Sequence, residues 1–329
     1  AFAASDVLGQ APPDTFTTLA GRSSLGSEDG PGSQARFNFN RGSGAAFDSA
    51  GNLYVADEGN HTVRKITPTG IVSTFAGSPG KFGSADGSGS EARFFAPNGI
   101  AVDSAGNVYV ADSGNGAIRK VTPDGTVSTL ATSLSPFGVA VDAAGNVYVA
   151  DRGTQTIRKF TPSGVVTTMA GSPGQSGSDD GTGSAARFND PTDVAVDSAG
   201  NVYVADYRNA TVRKITPAGV VTTLAGSPGQ DGEVDGTGNN ARFSQPAGVT
   251  VDGAGNVYVA DQSGNSVRKI TPAGVVTTLP SPPAGWGLPA GLTVDSAGNV
   301  YVAGLHTQTI QKITPAGVIS TLAGAGYVG

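Results

Sequence analysis

The chain has 329 residues, of which 50 are glycine, none is cysteine and only 14% are charged, and its formal net charge is −6. The lack of cysteine excludes disulfide bonds and thiol chemistry, and the acidic balance argues against a nucleic-acid partner. No run approaches the roughly 18 apolar residues of a membrane-spanning helix, so we expect no membrane span. Short β-rich runs separated by Gly, Pro, Asn and Asp predict an all-β protein.

One seven-residue segment occurs six times along the chain. It reads Gly-Asn-Leu/Val-Tyr-Val-Ala-Asp at residues 51–57 and returns at 106–112, 145–151, 200–206, 255–261 and 298–304, where Gly304 replaces the Asp. The spacings are therefore 55, 39, 55, 55 and 43 residues. Repeats of about 40 residues with four short strands are typical of propeller blades. The sequence thus predicts a six-bladed β-propeller with four antiparallel strands in each blade.

The predicted strands follow the same order in every unit. In the second unit, strand one covers residues 99–102, strand two 108–111, strand three 117–121 and strand four 126–130. Asp and Gly at the ends of the turn between strands one and two are typical of a type I turn. Strand two is apolar at successive positions, which predicts burial on both of its faces.

The whole chain, residues 1–329, is predicted to form one domain. An N-terminal segment at 15–21 repeats the strand-four sequence, and we expect it to form an extra closing strand at the last blade. The blades are expected at residues 42–77, 97–132, 136–171, 191–226, 246–281 and 289–324.

The strand-two motif Val-Tyr-Val-Ala-Asp, followed by an Arg-Lys-Ile-like strand three, resembles the NHL repeat, a family of six-bladed propellers. The resemblance covers nearly the whole chain in six registered copies. It implies that two kinds of connection lie together around the mouth of the central channel. These are the turns between strands two and three and the loops from strand four to the next strand one.

An Arg follows each strand-two Asp after seven residues, and the two are lost together in the sixth unit, which has Gly304 and Gln311. Removing one partner of a buried ion pair costs about 3–5 kcal/mol, whereas removing both can be nearly neutral. We therefore predict five structural ion pairs: Asp57–Arg64, Asp112–Arg119, Asp151–Arg158, Asp206–Arg213 and Asp261–Arg268.

Four Gly- and Asp-rich insertions precede strand one of units one, two, four and five. All four share one Asp position, an Arg seven residues later and then a Phe, as in Asp86, Arg93 and Phe94. One constant Asp per loop is too few oxygen ligands for a calcium loop. We expect instead that the Asp caps a turn, that the following Arg braces it, and that the insertions surround the channel mouth.

Residues peculiar to one blade are the candidates for ligand binding, because residues shared by all blades serve the fold. Two positions vary at the expected mouth: the second residue of the turn between strands two and three, and the entrance to strand one. Asp193 stands out, since the other five units have Gly at this position. The candidates are Asp193, Asn98, Phe137, Thr192, Arg152, Tyr207, Glu58, Trp286 and Arg41.

We interpret the chain as a non-catalytic binding or interaction scaffold without a cofactor, whose protein, peptide or glycan ligand binds at a mouth formed by the inserted loops. We predict no catalytic residues, because His61 and His306 are the only histidines and cannot form a three-His zinc site. The resemblance leaves an alternative open: a calcium-dependent hydrolase or lactonase of the gluconolactonase type. Its calcium candidates are Asp193 and Asn98, with Asn189 or Asp190 as a further ligand, and the carboxylates among them are Asp193 and Asp190.

The first three residues, Ala1-Phe2-Ala3, have the small-x-small pattern of a signal-cleavage site. The Gly-, Ser-, Thr- and Asn-rich composition is typical of an exported bacterial protein. We therefore expect a secreted, periplasmic or cell-surface protein, and we expect it to be a monomer.

Overall fold

The computed structural model describes residues 25–321 except Ser33, Arg41 and Ala284. Over this part of the chain, six antiparallel sheets of four or five strands confirm the six-bladed β-propeller. The expected closing strand at 15–21 and the candidate Arg41 lie outside the described residues. No helix in the described ranges is long and apolar enough to cross a membrane.

The strands are numbered in chain order. Blade 1 contains β1 (Gly30–Pro31), β2 (Ala45–Phe47), β3 (Leu53–Asp57), β4 (Thr62–Ile66) and β5 (Ile71–Gly77). Blade 2 contains β6 (Gly87–Ser88), β7 (Pro97–Val102), β8 (Val108–Asp112), β9 (Ala117–Val121) and β10 (Thr126–Ala131). Blade 3 contains β11 (Pro136–Val141), β12 (Val147–Asp151), β13 (Thr156–Phe160) and β14 (Val166–Ala170).

Blade 4 contains β15 (Gly181–Thr182), β16 (Pro191–Val196), β17 (Val202–Asp206), β18 (Thr211–Ile215) and β19 (Val220–Gly226). Blade 5 contains β20 (Gly236–Thr237), β21 (Pro246–Val251), β22 (Val257–Asp261), β23 (Ser266–Ile270) and β24 (Val275–Thr278). Blade 6 contains β25 (Pro289–Val294), β26 (Val300–Gly304), β27 (Thr309–Ile313) and β28 (Ile319–Thr321). Short 3-10 helices occupy Glu58–Asn60, Gly89–Glu91, Ser113–Asn115, Gly183–Ala185, Tyr207–Asn209 and Gly238–Asn240.

The inserted loops add a short fifth strand to the outer edge of the blade that follows them. Gly87 and Ser88 pair with Val127 and Thr126 of β10, the outermost of the four regular strands of blade 2. The next residue, Gly89, donates its N–H to the carbonyl of Gly125 at 3.0 Å, in the turn between β9 and β10 on the face opposite the mouth. The prediction that these loops surround the mouth is therefore wrong for their Gly- and Asp-rich parts, which satisfy the exposed backbone of an edge strand instead.

The turn between strands one and two is held by the Asp that opens it. In blade 2, Asp103 Oδ1 accepts the N–H groups of Ala105 at 3.0 Å and Asn107 at 2.8 Å. Its Oδ2 accepts the hydroxyl of Tyr109 at 3.1 Å, and the ammonium of Lys120 lies 5.8 Å from the centre of that Tyr ring. Equivalent Asp, Tyr and Lys residues repeat these contacts in every blade, so the unit serves the fold.

The core lies between neighbouring blades. All residues of β8 are buried, as are those of β3, β12, β17 and β22. One cluster joins Tyr54 and Ala56 of blade 1 to Val108 and Val110 of blade 2. The innermost strands of all six blades line a central channel that encloses about 170 Å³. The blades thus form a rigid ring that positions the turns at the channel mouth.

Candidate functional site

The structure brings each strand-two Asp into contact with the Arg seven residues later. The pairing follows from strand register, because Asp and Arg lie on neighbouring strands β8 and β9 or their equivalents. The Arg Nη1 to Asp Oδ2 distances are 2.7 Å for Arg64–Asp57, 2.8 Å for Arg119–Asp112, 3.6 Å for Arg158–Asp151, 2.8 Å for Arg213–Asp206 and 3.4 Å for Arg268–Asp261. Four of these arginines are fully buried, whereas the Arg158 side chain is 27% exposed.

The Asp of each insertion binds the buried Arg of the following blade. Asp86 Oδ1 lies 2.6 Å from Nη2 of Arg119, and Asp29, Asp180 and Asp235 contact Arg64, Arg213 and Arg268 in the same way. The expected bracing of Asp86 by Arg93 is wrong, because Arg93 donates to backbone carbonyls such as that of Ala92 at 2.7 Å. The guanidinium of Arg119 also lies 5.2 Å from the ring centre of Phe94.

The strand-two aspartates make only structural contacts. Burial raises the pKa of Asp206 to about 6 and that of Asp261 to about 7, although the paired arginines act in the opposite direction. Burial raises the pKa of Asp57 and Asp112 as well. Each Oδ1 additionally accepts a backbone N–H from the segment before strand one, as Asp112 does from Phe95 at 2.8 Å. No acid or base function is needed to explain them.

Trp286 is buried and does not line the mouth, so its selection as a ligand-binding candidate is wrong. It packs in the cluster between blades 5 and 6 with Tyr258, Leu292 and Val302. It stands three residues before Pro289, the same spacing that separates Phe94 from Pro97. A Cβ on Gly304 would collide with the carbonyl oxygen of Trp286, which explains why the sixth blade has no Asp there.

The mouth of the channel holds a cavity of about 420 Å³. The two variable positions predicted to face the mouth line it in blades 3, 4 and 5, and the turn position also lines it in blade 6. One wall carries the polar side chains of Arg152, Tyr207 and Gln262, and the apolar wall includes Leu288 and Leu305. The remaining lining residues are Asn40, Phe137, Thr192 and Ala247. Sequence reasoning did not single out Asn40 or Leu288, which precede strand one and could have been found by extending that series.

Arg152 presents the only positively charged side chain that lines this cavity within the described residues. Its guanidinium lies 5.2 Å from the ring centre of Phe137, and its Nη2 donates to Asp190 Oδ2 at 2.6 Å while its Nε donates to Oδ1. Arg208 Nε donates to the same Oδ2 at 3.1 Å. Two of the five N–H donors of Arg152 are thus used. The charges of Arg152, Arg208 and Asp190 sum to +1.

Tyr207 and Thr192 complete the polar wall. The Tyr207 hydroxyl lies 2.9 Å from Gln245 Oε1 and 3.3 Å from Gln262 Oε1, and burial raises its pKa, so the phenol stays neutral. The Thr192 hydroxyl is 3.4 Å from the carbonyls of Ala205 and Pro246. Both residues therefore offer hydrogen bonds from fixed positions.

Two further candidates lie below the mouth. Asn98 is buried at the constriction of the channel, and its carbonyl accepts the N–H of Gly44 at 3.0 Å. Glu58 is buried as well, and the N–H of Gly42 lies 3.4 Å from its Oε2. Neither residue lines the mouth cavity, so the structure does not bring them together with Arg152 and Tyr207.

Asp193 bridges the innermost strands of two blades. Its Oδ1 accepts its neighbour's N–H, that of Val194, at 2.9 Å, and its Oδ2 accepts the N–H of Val249 in blade 5 at 2.9 Å. Gly138 of blade 3 leaves room for the carboxylate, because a Cβ there would collide with Oδ1. Burial raises the pKa of Asp193 to about 7, and the two N–H donors act in the opposite direction.

Both aspartates nominated for calcium are engaged by other partners. Calcium requires six to eight oxygen ligands that are free to coordinate. Asp190 is instead held by two guanidinium groups, and both oxygens of Asp193 accept backbone N–H groups. Among the residues that the structure describes, no three His, Cys, Asp or Glu side chains cluster as a metal site.

Comparison with known proteins agrees with the fold. Residues 39–66, 96–121, 134–160, 188–215 and 243–269 match the NHL repeat. The protein SUPPRESSOR OF QUENCHING 1 of Arabidopsis thaliana is 34% identical over 95 residues, which is 29% of this chain and 9% of that protein. The matched segment therefore spans only about a tenth of the length of that relative.

Two solved structures of bacterial proteins share the architecture. An auxiliary nutrient binding protein from Bacteroides thetaiotaomicron has a TM-score of 0.69 and 15% identity, over 93% of this chain and 76% of that one. A gluconolactonase from Xanthomonas campestris has a TM-score of 0.61 and 16% identity, over 87% of this chain and 88% of that one. At such identities the likeness shows the fold alone.

Proposed function

Taking the chain as an NHL-repeat six-bladed β-propeller, we propose that it is a non-catalytic binding module whose ligand occupies the cavity at the channel mouth. The observation that carries this proposal is that repeated residues make structural contacts, whereas unrepeated residues line the cavity. The repeated aspartates and arginines are consumed by structural contacts, whereas the mouth is lined by side chains that differ from blade to blade. A binding role needs only such a shaped, mixed surface on a rigid scaffold.

The chemistry of the cavity favours an acidic glycan. Arg152 retains N–H donors for a carboxylate, and Tyr207 and Gln262 offer hydrogen bonds to hydroxyl groups. Leu288 and Leu305 supply the apolar wall that the C–H face of a sugar ring requires. A volume of about 420 Å³ suits one or two sugar rings. The name of the Bacteroides neighbour, an auxiliary nutrient binding protein, agrees with a binding role. We also propose that the protein acts at the cell exterior, in keeping with its small-x-small N-terminal pattern and its composition.

The test is isothermal titration with trigalacturonate. Arg152→Ala should weaken binding at least tenfold, because a charge-assisted pair contributes about 1.5–3 kcal/mol. Arg208→Ala is the matched control: it removes the same charge beside Asp190, but its side chain is 66% exposed and does not line the cavity. Equal losses in both variants would indicate a long-range charge effect and refute the assigned site. Activation by calcium of lactone hydrolysis, measured in the same preparation, would favour the hydrolase instead.

A further inference from the structure

Three aromatic side chains gather on blades 1 and 2, away from the mouth cavity. His61 follows the 3-10 helix Glu58–Asn60, Phe82 comes from the insertion, and Phe95 precedes β7. The ring centres are 5.1 Å apart for Phe82 and Phe95, 5.7 Å for His61 and Phe82, and 5.6 Å for His61 and Phe95. Phe82 is 66% exposed and Phe95 39% exposed. We call these three residues the aromatic platform.

The fold does not require an aromatic residue at Phe82. The equivalent residues are Leu25 in the insertion of blade 1, Ser176 in that of blade 4 and Asp231 in that of blade 5, none of them aromatic. All four insertions make the same backbone contact: Gly83 donates to Phe94, Gly177 to Phe188 and Gly232 to Phe243, each at 3.1 Å, and Gly26 to Phe37 at 3.2 Å. The exposed ring of Phe82 therefore contributes nothing that the other copies need for their conformation.

The same comparison applies to Phe95. Its equivalents are Asn189 and Ser244. The backbone N–H of each donates to the strand-two Asp of its blade, at 2.8 Å for Phe95, 2.7 Å for Asn189 and 2.7 Å for Ser244. Only the backbone serves the fold here, and the aromatic side chain is peculiar to blade 2.

His61 contributes an oriented donor. Its Nδ1 accepts the N–H of Ala96 at 3.2 Å, the task that Gln155 performs for Asp190 at 2.6 Å. A neutral imidazole that accepts at Nδ1 carries its proton on Nε2. The platform thus combines two exposed phenyl rings that are peculiar to this place in the repeat with one imidazole N–H donor, whose ring also makes the backbone contact that Gln155 makes in its own blade.

The size of the platform argues for a small ligand. The two exposed fractions correspond to roughly 200 Å² of ring surface, since a Phe side chain covers about 150–250 Å². A stable protein interface needs about 800 Å² per partner. A pyranose ring has a flat C–H face of suitable size and hydroxyl groups at its edge that can accept from an imidazole. We propose that the aromatic platform is a second glycan site, which stacks one neutral pyranose ring and is separate from the acidic-sugar site at the mouth.

The test uses cellotetraose in isothermal titration, with an expected Kd on the order of 1 mM for so small a contact. The double variant Phe82→Ser, Phe95→Asn installs the residues of blade 4, so it should fold normally and lose at least tenfold in affinity. Leu130→Asn, which removes another apolar side chain that is 42% exposed, is the control and should bind like the wild type.

Three results would overturn the platform. The wild-type protein could fail to bind cellotetraose at 10 mM, the double variant could bind it unchanged, or an apolar peptide could bind the platform in its place. If Arg152→Ala lost cellotetraose binding and the double variant retained it, the site for the neutral glycan would be the mouth cavity and not the platform. The proposed binding site at the channel mouth is tested separately, by the trigalacturonate titration alone.

Discussion

The buried ion pair of blade 2 permits a quantitative test of the structural role assigned to the repeated charges. The perturbation is a double-mutant cycle of Asp112→Ala and Arg119→Ala. After Asp112→Ala, Arg119 keeps Asp86 at 2.6 Å and the carbonyls of Arg93 and Ala85 at 2.9 and 3.0 Å, so the loss should be about 3 kcal/mol. After Arg119→Ala, Asp112 is left buried without its cation, and the loss should be about 3–5 kcal/mol.

The double variant should cost less than the sum of the two, because the second substitution no longer strands a buried charge. We expect a coupling free energy of about 1–3 kcal/mol, measured from urea unfolding at pH 7. The pair Asp151–Arg158 in blade 3 is the matched comparison. There the atoms are 3.6 Å apart and the Arg side chain is 27% exposed, so the coupling should be about 0–1 kcal/mol. Additive losses in blade 2, or equal coupling in both blades, would refute the reasoning.

Three further outcomes are expected. Burial raises the pKa of Asp193 from 3.8 to about 7, so the folded state takes up a proton more readily and the free energy of unfolding falls as pH rises between these values. Asp193→Gly should remove this pH dependence, which amounts to at most about 4 kcal/mol in the free energy of unfolding. Urea midpoints that change with pH between 4 and 8 in the variant just as they do in the wild type would contradict this. Trp286→Ala should cost about 3–5 kcal/mol, whereas Trp286→Phe should cost less than about 1.5 kcal/mol. The smaller cost follows because the Nε1–H of Trp286 finds no acceptor among the described residues and Phe fills this position in other blades. Thermal melts of both variants test this. Gly291→Ala should lower the melting temperature because its Cβ would collide with the carbonyl of Ser43 in blade 1, and an unchanged melt would contradict that packing.

Internal repetition explains how much of the fold could be predicted. Six copies in register identify the strands, the turns and the Asp–Arg partners, because the two residues flank one hairpin. The register places Asp112 opposite Ala117 and Arg119 opposite Val110, so the two charges are diagonal neighbours on one face of the sheet. The same spacing misled the interpretation of Asp86 and Arg93, which lie on a loop and not across a hairpin. The true partner of Asp86 is Arg119, 33 residues away, and only the docking of the insertion on the outer edge brings them together.

Part of the candidate site could also be predicted, because comparison of the six repeats shows which positions vary. The variable positions at the strand-one entrance and in the turns do line the mouth, as Phe137, Arg152 and Tyr207 show. Trp286 was misplaced because it was selected as a residue peculiar to one blade, although its distance from Pro289 matches that of the buried Phe residues. Contacts between blades, such as Asp190 with Arg152, depend on packing that no single repeat contains.

The most direct test of the account is a crystal structure of the protein soaked with trigalacturonate. We predict a sugar carboxylate bound to Arg152 at the channel mouth, with its ring against Leu288 or Leu305 and the Asp–Arg pairs unchanged. A ligand bound on the opposite face, or one that breaks the pair of Asp112 and Arg119, would contradict the separation of structural and binding residues.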